Sequence, residues 1–175
     1  LGLDMTPAMI DKARDNAEKL GFNNVEFRLG DIEDMPIVGN RADVVVSNCV
    51  LNLVPDKQKA FSEIYRILKP GGHFSISDVV IQGELPDGLR NDAEMYAGCV
   101  AGAILKDDYL DLIRQTGFTG IQVQKERAIQ IPDDILSNYL TDDEIRQVKE
   151  GQVGIFSINV YGEKPAEPCC EPGCC

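Results

Sequence analysis

Polar side chains stand at the ends of three segments that the sequence predicts as strands. Asp4 closes a short apolar segment, Asp31 follows the next strand, and Asn48 ends a β-branched run. In open parallel sheets, ligands bind beyond the carboxyl ends of the strands, where a carboxylate accepts hydrogen bonds from a ribose diol. Asp31 is placed to accept from an exocyclic amine. Aspartate is also common at strand ends as a turn residue, but the pair, one strand apart, favours a nucleotide-like ligand.

Six cysteines form the second group of candidate functional residues, because thiols can form disulfides or bind soft ions. An even number suits a small disulfide-linked secreted scaffold, yet this chain has core-forming periodicity, and its first residues lack the basic pattern expected of an export signal. We therefore expect a reducing cytoplasm, where thiolates are available to bind soft ions. A buried packing role is the alternative for the two cysteines in the body of the chain. Those two are Cys49 and Cys99, and the last seven positions hold Cys169, Cys170, Cys174 and Cys175.

The elements that must position these residues alternate between strand and helix. Thr6 and Pro7 suit the N-cap and the first turn of a helix that Gly21 ends. The alternation predicts an α/β fold with a mostly parallel sheet and an antiparallel strand at its edge. Strands are predicted at 1–4, 25–29, 42–46, 73–80, 119–131 and 152–161, and helices at 7–20, 56–68, 86–103, 107–116 and 132–150.

Length and charge restrict the classes of protein. The 175 residues suffice for one domain with a substantial core. A net charge of -12 argues against a nucleic-acid partner, and no apolar run approaches the roughly 20 residues of a membrane span. Because the chain starts without Met, inside an apolar motif, we interpret it as truncated. We expect a partial domain over 1–163 and a flexible tail rich in Pro, Glu and Cys over 164–175.

Four short segments occur in the order seen in class I S-adenosylmethionine methyltransferases. The resemblance extends over nearly the whole chain and implies the Rossmann-like sheet of that family, with S-adenosylmethionine as cofactor. It also implies a glycine-rich loop and a central first strand just before Leu1, so we expect a sheet that lacks its first strand. The segments are Gly2-Leu3-Asp4-Met5, Gly30-Asp31-Ile32-Glu33, Leu68-Lys69-Pro70-Gly71-Gly72 and Thr116-Gly117-Phe118.

The resemblance also assigns roles to cofactor-binding residues. It implies that Asp4 and Met5 contact the ribose and adenine, and that Asp31 and Ile32 hold the adenine edge. Asn48 matches a position that lines the methionyl end of the cofactor. If the chain folds without the first strand, we expect the sheet to be open between the strands that end at Asp4 and Cys49.

Two cysteine-containing segments resemble hallmark segments of arsenite methyltransferases. They are Ser47-Asn48-Cys49-Val50-Leu51-Asn52-Leu53 and Tyr96-Ala97-Gly98-Cys99-Val100-Ala101-Gly102. In that family each segment supplies a cysteine and a third comes from upstream, so Cys49 and Cys99 are the candidate catalytic ligands of trivalent arsenic. Arsenic(III) is soft and thiophilic, which explains the need for thiolates. The resemblance also implies arsenic detoxification as the role, with glutathione or thioredoxin as thiol reductant.

The sequence leaves two other functional hypotheses open. One keeps the fold but assigns carbon methylation of a quinone-like or sterol-like molecule, for which neither Cys49 nor Cys99 would be needed. The other is a cysteine-rich metalloid-binding protein without turnover, in which the vicinal cysteines of the tail hold the metalloid. The tail cysteines are also compatible with an unstructured segment that binds metal incidentally. The single histidine, His73, is interpreted as a packing or surface residue of its strand.

Overall fold

The computed structural model describes residues 1–85, 89, 100 and 102–166, which form strands and helices in alternation. The strands are β1 (Gly2–Asp4), β2 (Phe27–Leu29), β3 (Ala42–Asn48), β4 (Leu68–Gln82), β5 (Thr119–Ala128) and β6 (Gly154–Glu163). The helices are α1 (Pro7–Leu20), α2 (Lys57–Ile67), α3 (Lys106–Thr116), α4 (Asp133–Leu136) and α5 (Asp142–Lys149), with a 3-10 turn at Leu51–Leu53.

The strands form two sheets, and most of them run in one direction. β1 and β2 pair in parallel, and a second sheet has the order β3-β4-β6-β5. In the second sheet β3 and β4 are parallel, whereas β6 is antiparallel to both β4 and β5. A mostly parallel arrangement with one antiparallel strand confirms the expected fold class.

The sequence had predicted the antiparallel strand at the edge of the sheet, and this position is wrong. The antiparallel strand β6 lies inside the sheet. β6 fills a slot between β4 and β5, with Ser77 opposite Asn159 on one side and Val123 opposite Val160 on the other. The helical crossover through α3 leaves one empty strand position between β4 and β5. The returning strand then inserts antiparallel between them and completes both ladders.

The break between the two sheets lies between β1 and β3. Among the described strands, β1 pairs only with β2, and β3 pairs only with β4. This is the opening expected between the strands that end at Asp4 and Cys49. Side chains nevertheless connect the two sheets, because Leu3 of β1 packs against the main apolar core.

Two helices cover one face of the larger sheet and create the main core. Phe61 of α2, Phe74 of β4 and Tyr109 of α3 are fully buried. The Phe61 ring centroid lies 6.1 Å from that of Phe74 and 5.5 Å from that of Tyr109, the latter edge-on. Edge-to-face aromatic pairs add to the stability that burial provides.

Local signals explain where most helices begin and end. Pro7 opens α1 and Gly21 ends it in the left-handed conformation, with φ of 73°. Thr6 occupies the N-cap position, but its side chain makes no capping hydrogen bond. α2 begins after Asp56, whose carboxylate accepts from Lys59 N.

Two segments differ from the sequence expectation. β4 starts at Leu68 rather than at His73, and its pairing with β3 shifts register between Ala42 and Val44. This irregularity accommodates Pro70 and the two glycines inside the strand. The acidic stretch 132–150 forms two short helices, α4 and α5, instead of one, and Leu136 of α4 is buried in a second apolar cluster.

Most of the helix expected over 86–103 lies outside the described residues, as do residues 167–175 of the tail predicted over 164–175. Leu89 and Val100, which are described, are fully buried in the second cluster with Ala103. Among the described residues, no helix combines the length and apolar character needed to cross a membrane.

Truncating Phe61 should destabilise the fold strongly. Its ring is fully buried between two other aromatic side chains, and a buried Phe→Ala change costs roughly 3–5 kcal/mol. We expect Phe61→Ala to lower the free energy of unfolding by that amount in urea titrations followed by circular dichroism. Val38→Ala, at a side chain that is 76% exposed, is the matched control and should change it by less than about 0.5 kcal/mol. Equal effects of the two substitutions would contradict the packing described here.

Candidate functional site

Asp4 and Asp31 lie at the carboxyl ends of the two paired parallel strands, β1 and β2. Gly30 N donates to Asp4 O at 3.0 Å, which joins the residue before Asp31 to the end of β1. Each carboxylate uses Oδ1 to accept a backbone N–H: Asp4 from Thr6 at 2.8 Å and Asp31 from Glu33 at 2.9 Å. These local bonds fix each side chain, and the structure thus places the two predicted residues at the ends of neighbouring strands.

The surroundings of the two carboxylates suit a nucleoside. No hydrogen bond from the described residues reaches the Oδ2 atom of Asp4 or of Asp31, so each retains an acceptor for a ligand hydroxyl or amine. Beside them, Met5 exposes 72% of its apolar side chain and Ile32 is half-buried. Paired acceptors next to apolar side chains match the polar and flat apolar parts of an adenosine group.

Asn48 and Cys49 lie at the corresponding end of β3. Asn48 pairs with Ser77 of β4 and lines a shallow cavity of about 290 Å³ together with Val46, Ser75 and Asn159. No ladder hydrogen bonds join this strand end to that of β1, so the structure places the two groups of predicted residues in separate sheets.

Cys49 has an unusual backbone. Its φ of 56° lies in the left-handed region, which is sparsely populated by residues other than glycine and concentrated at functional sites. Cys49 N donates to Ser77 O at 2.8 Å and thereby ends the pairing of β3 with β4. The half-buried thiol is therefore presented on a tight turn beyond the strand rather than within the core.

The turn after Cys49 is held tightly by its neighbours. Asn52 is buried, and its Nδ2 donates to Val79 O of β4 at 2.8 Å. A Cβ on Gly102 would lie 1.7 Å from the backbone oxygen of Asn52. Only glycine fits this contact, which brings the chain just beyond residue 101 against the turn that follows Cys49.

A buried acid that was not among the predicted site residues lies next to this turn. Asp78 of β4 is 1% exposed and accepts from its neighbour Val79 N at 3.1 Å and from Tyr109 Oη at 3.3 Å. Burial raises the pKa of Asp78 to about 6, opposed by these two hydrogen bonds and by Lys57. Burial also raises the pKa of Tyr109, and it lowers that of Lys57.

A sequence signal for Asp78 existed. It occupies the same strand face as Phe74, Ile76 and Val80, all of which are buried. A charged residue in the buried register of a strand requires a partner, and here the partner is the Tyr109 hydroxyl.

The remaining predicted ligands are not described. Cys99 and the tail cysteines Cys169, Cys170, Cys174 and Cys175 lie outside the described residues. His73 lies in β4 and its ring is 5.2 Å from that of Tyr161, in agreement with a packing role.

The strand order, the helical crossovers and the polar strand ends define a class I methyltransferase sheet. The methyltransferase domain family matches residues 1–133, most of the chain, and the chain therefore belongs to that family.

Individual relatives share more of the sequence. The chain is 41% identical over 167 residues to an arsenite methyltransferase of Halobacterium salinarum, covering 95% of this chain and 40% of that protein. It is 42% identical over 149 residues to an arsenite methyltransferase of Aquipseudomonas alcaligenes, covering 81% of this chain and 43% of that protein. The chain thus spans less than half the length of these two relatives.

A solved structure agrees with the family match and with these relatives. The crystal structure of CrArsM, an arsenic(III) S-adenosylmethionine methyltransferase from Chlamydomonas reinhardtii, superposes with a TM-score of 0.71 at 34% identity. The match covers 95% of this chain and 55% of that one.

Removing the charge of Asp78 should stabilise the protein increasingly as the pH rises from about 4 to 6, with no further gain at higher pH. The folded-state pKa is raised, so this carboxyl favours folding below its ordinary value of 3.8 and loses that contribution as the pH rises through about 6. We expect Asp78→Asn to match the wild type at pH 4 and to exceed its unfolding free energy at pH 7.5 by at most about 3 kcal/mol. Denaturant titrations at the two pH values measure this, and a variant that gains nothing between them would refute it.

Proposed function

We propose that the protein transfers the methyl group of S-adenosylmethionine to trivalent arsenic held by cysteine thiolates, as a step in arsenic detoxification. The observation that carries the proposal is the position of Cys49, a half-buried thiol on a strained turn at the carboxyl end of β3. Relatives named arsenite methyltransferase, which share two fifths of their residues with this chain where they align, support the same reaction.

The cofactor is proposed to bind across the ends of β1, β2 and β3. Asp4 would accept from the ribose hydroxyls and Asp31 from the adenine amine, while Met5 and Ile32 would contact the base. Asn48 would line the methionyl end. Bound S-adenosylmethionine supplies an electrophilic methyl group on a positively charged sulfur.

The thiols of Cys49 and Cys99 would replace hydroxyls of arsenite, with the release of water. They would thereby fix the arsenic with its lone pair directed along the line of displacement, and such positioning supplies much of the rate of a two-reactant step. No general base is required, because the attacking lone pair carries no proton.

The electron balance of this reaction requires a reductant. The new arsenic–carbon bond uses the arsenic lone pair, and the carbon–sulfur bond breaks with its electron pair going to sulfur. Arsenic is oxidised by two electrons in this step. A dithiol or two thiols, from glutathione or thioredoxin, would return it to the trivalent state before another transfer. We place the reaction in the cytoplasm, where such reductants keep thiols reduced.

The two alternative functions differ in their need for thiols. A carbon methyltransferase of a quinone-like or sterol-like molecule would not depend on Cys49 or Cys99. A metalloid-binding protein would hold arsenite without turnover and would depend on the tail, residues 164–175. The strained turn at Cys49 favours the thiolate-dependent transfer over the first of these.

Serine at either body cysteine should abolish arsenic methylation, because a hydroxyl does not replace a thiolate on a soft centre. The chain, expressed with whatever precedes Leu1 in its gene, is incubated with arsenite, S-adenosylmethionine and glutathione. Arsenic species are then separated by chromatography and counted by elemental mass spectrometry. We expect Cys49→Ser and Cys99→Ser to retain less than about one hundredth of the wild-type rate.

The control replaces all four tail cysteines by serine, and we expect it to retain methylation at saturating arsenite. Wild-type protein that binds cofactor but leaves arsenic inorganic would reject the proposed substrate. Full activity of Cys49→Ser would favour the quinone-type reaction, and tight arsenite binding that disappears with the tail cysteines, without turnover, would favour the metalloid-binding protein.

Replacing Asp31 should weaken cofactor binding. Asp31→Asn converts one acceptor oxygen into a donor, and a lost hydrogen bond to a charged group costs about 1.5–3 kcal/mol, which corresponds to a Kd increase of about ten- to a hundredfold. Titration calorimetry with S-adenosylhomocysteine measures this Kd. Asp34→Asn, three positions along the same loop, is the control and should bind with the wild-type Kd. Equal affinities of the Asp31→Asn variant and the wild type would exclude Asp31 from the site.

A further inference from the structure

The loop that carries Asp31 is held by α2, the helix that packs on the larger sheet. This loop spans residues 30–41 and connects β2 to β3. Its first part carries Asp31 and Ile32, the proposed adenine contacts. Apart from the local turn at Asp31, which includes the bond from Asp34 N to Asp31 O at 3.1 Å, the loop has little regular structure to fix its course.

Arg66 and Glu63, one turn apart on α2, contact this loop at several points. Glu63 Oε2 accepts from Met35 N at 2.7 Å, while Arg66 donates through Nη1 to Ile37 O at 2.8 Å and through Nη2 to Met35 O at 3.1 Å. The two side chains also bind each other twice, with Arg66 Nε and Nη2 donating to the two oxygens of Glu63 at 2.6 Å and 2.7 Å.

This pair is partly shielded from solvent. The side chain of Glu63 is 15% exposed and that of Arg66 is 40% exposed. The Arg66 guanidinium beside it lowers the pKa of Glu63, so the carboxylate stays charged. A guanidinium in a two-point pair with a carboxylate has a fixed orientation, and its remaining N–H groups then point in fixed directions.

The other end of α2 contacts the same loop. Asp56 N, at the N-cap of the helix, donates to Glu33 Oε1 at 3.0 Å. The backbone of α2 also accepts from the end of the loop, where Asn40 N donates to Arg66 O at 2.9 Å and Arg41 N to Ile67 O at 2.7 Å. One helix therefore holds the start, the middle and the end of the loop.

These contacts matter because Asp31 lies beyond the last paired residue of β2, so strand pairing does not fix the course of the loop. The position of Asp31 relative to the larger sheet depends on the loop's own contacts with α2. Met35 is buried against α2, and Ile32 and Ile37 pack on the main core. Apolar packing alone tolerates sliding, whereas the bonds from Arg66 and Glu63 fix the register of the loop on the helix.

We infer that Arg66 and Glu63 are positioning residues for nucleobase recognition, holding the loop so that the Asp31 carboxylate stays beside the end of β1. The inference rests on the proposed function, because it requires that the adenine of the cofactor binds at Asp31. Neither side chain touches the cofactor in this scheme. They act through the loop by keeping the binding-competent arrangement populated.

The test compares the affinities of two ligands for the chain expressed with whatever precedes Leu1 in its gene. S-adenosylhomocysteine carries the adenine amine, and S-inosylhomocysteine carries a carbonyl in its place. A fixed carboxylate at Asp31 accepts from the amine but opposes the carbonyl, so the wild type should prefer the adenine ligand. Titration calorimetry gives both dissociation constants and hence their ratio.

We expect Arg66→Ala to raise the Kd for S-adenosylhomocysteine by about tenfold, as follows if the loop is correctly placed only one tenth of the time. The preference for adenine over inosine should fall toward one. kcat at saturating cofactor should stay near the wild-type value. A merely destabilising substitution would weaken both ligands equally and would leave the ratio unchanged.

Two further variants sharpen the result. Arg114→Ala removes an arginine that pairs with Asp111 at the same spacing, on the exposed surface of α3, and it should change neither Kd nor the ratio. Arg66→Lys keeps the charge but loses the planar fork, and we expect an intermediate ratio. This variant decides the matter if Arg66→Ala proves too unstable to assay.

Folded Arg66→Ala or Arg66→Lys protein with the wild-type ratio would overturn the inference and leave the proposed function intact. Wild-type protein that binds neither ligand would overturn the proposed function and this inference with it. Wild-type protein that binds both ligands equally would overturn the role of Asp31 and therefore the need to position it.

Discussion

Anchoring of one loop on one helix is the interaction on which the proposed site depends. The loop over residues 30–41 carries Asp31 beyond the paired residues of β2, so strand pairing does not fix its course. Bonds to Glu63 and Arg66 hold the loop on α2, and Leu3 adds an apolar contact between β1 and the main core. The proposed cofactor contacts therefore depend on the placement of α2, which packs on the larger sheet.

The turn at Cys49, the proposed arsenic ligand, depends on a different constraint, the crowding of backbone around it. Its left-handed conformation turns the chain out of β3, and the buried Asn52 and the close approach of Gly102 hold the turn that follows. Strain of this kind persists only where the surroundings over-determine it. A thiolate that must hold a soft centre in one orientation gains from such rigidity, because little freedom remains to be lost on binding.

The sequence predicted the elements better than their connections. Periodic apolar positions and flanking glycines identified α1, α2 and α3 within a few residues, since those signals are local. The place of β6 inside the sheet could not be read from its own residues, because strand order depends on where the preceding crossover leaves a gap. Asp4, Asp31 and Cys49 were predicted as site residues from strand ends and from family segments. Asp78 and Arg66 were missed, because Tyr109, which binds Asp78, and Met35, which Arg66 binds, each lie 31 positions away and become neighbours only in the fold.

The two outer strands of the larger sheet have opposite consequences for handling the protein in solution. β5 exposes Lys125, Glu126 and Arg127, and charges on an edge discourage pairing with another chain. β3 instead exposes Val44 and Val46, at 46% and 75%, and among the described strands it pairs on one side only. When residues 1–175 are prepared alone, such an edge is a template for self-association, opposed at long range by the net charge of -12. The colloidal stability of this segment should therefore decline as added salt screens that repulsion.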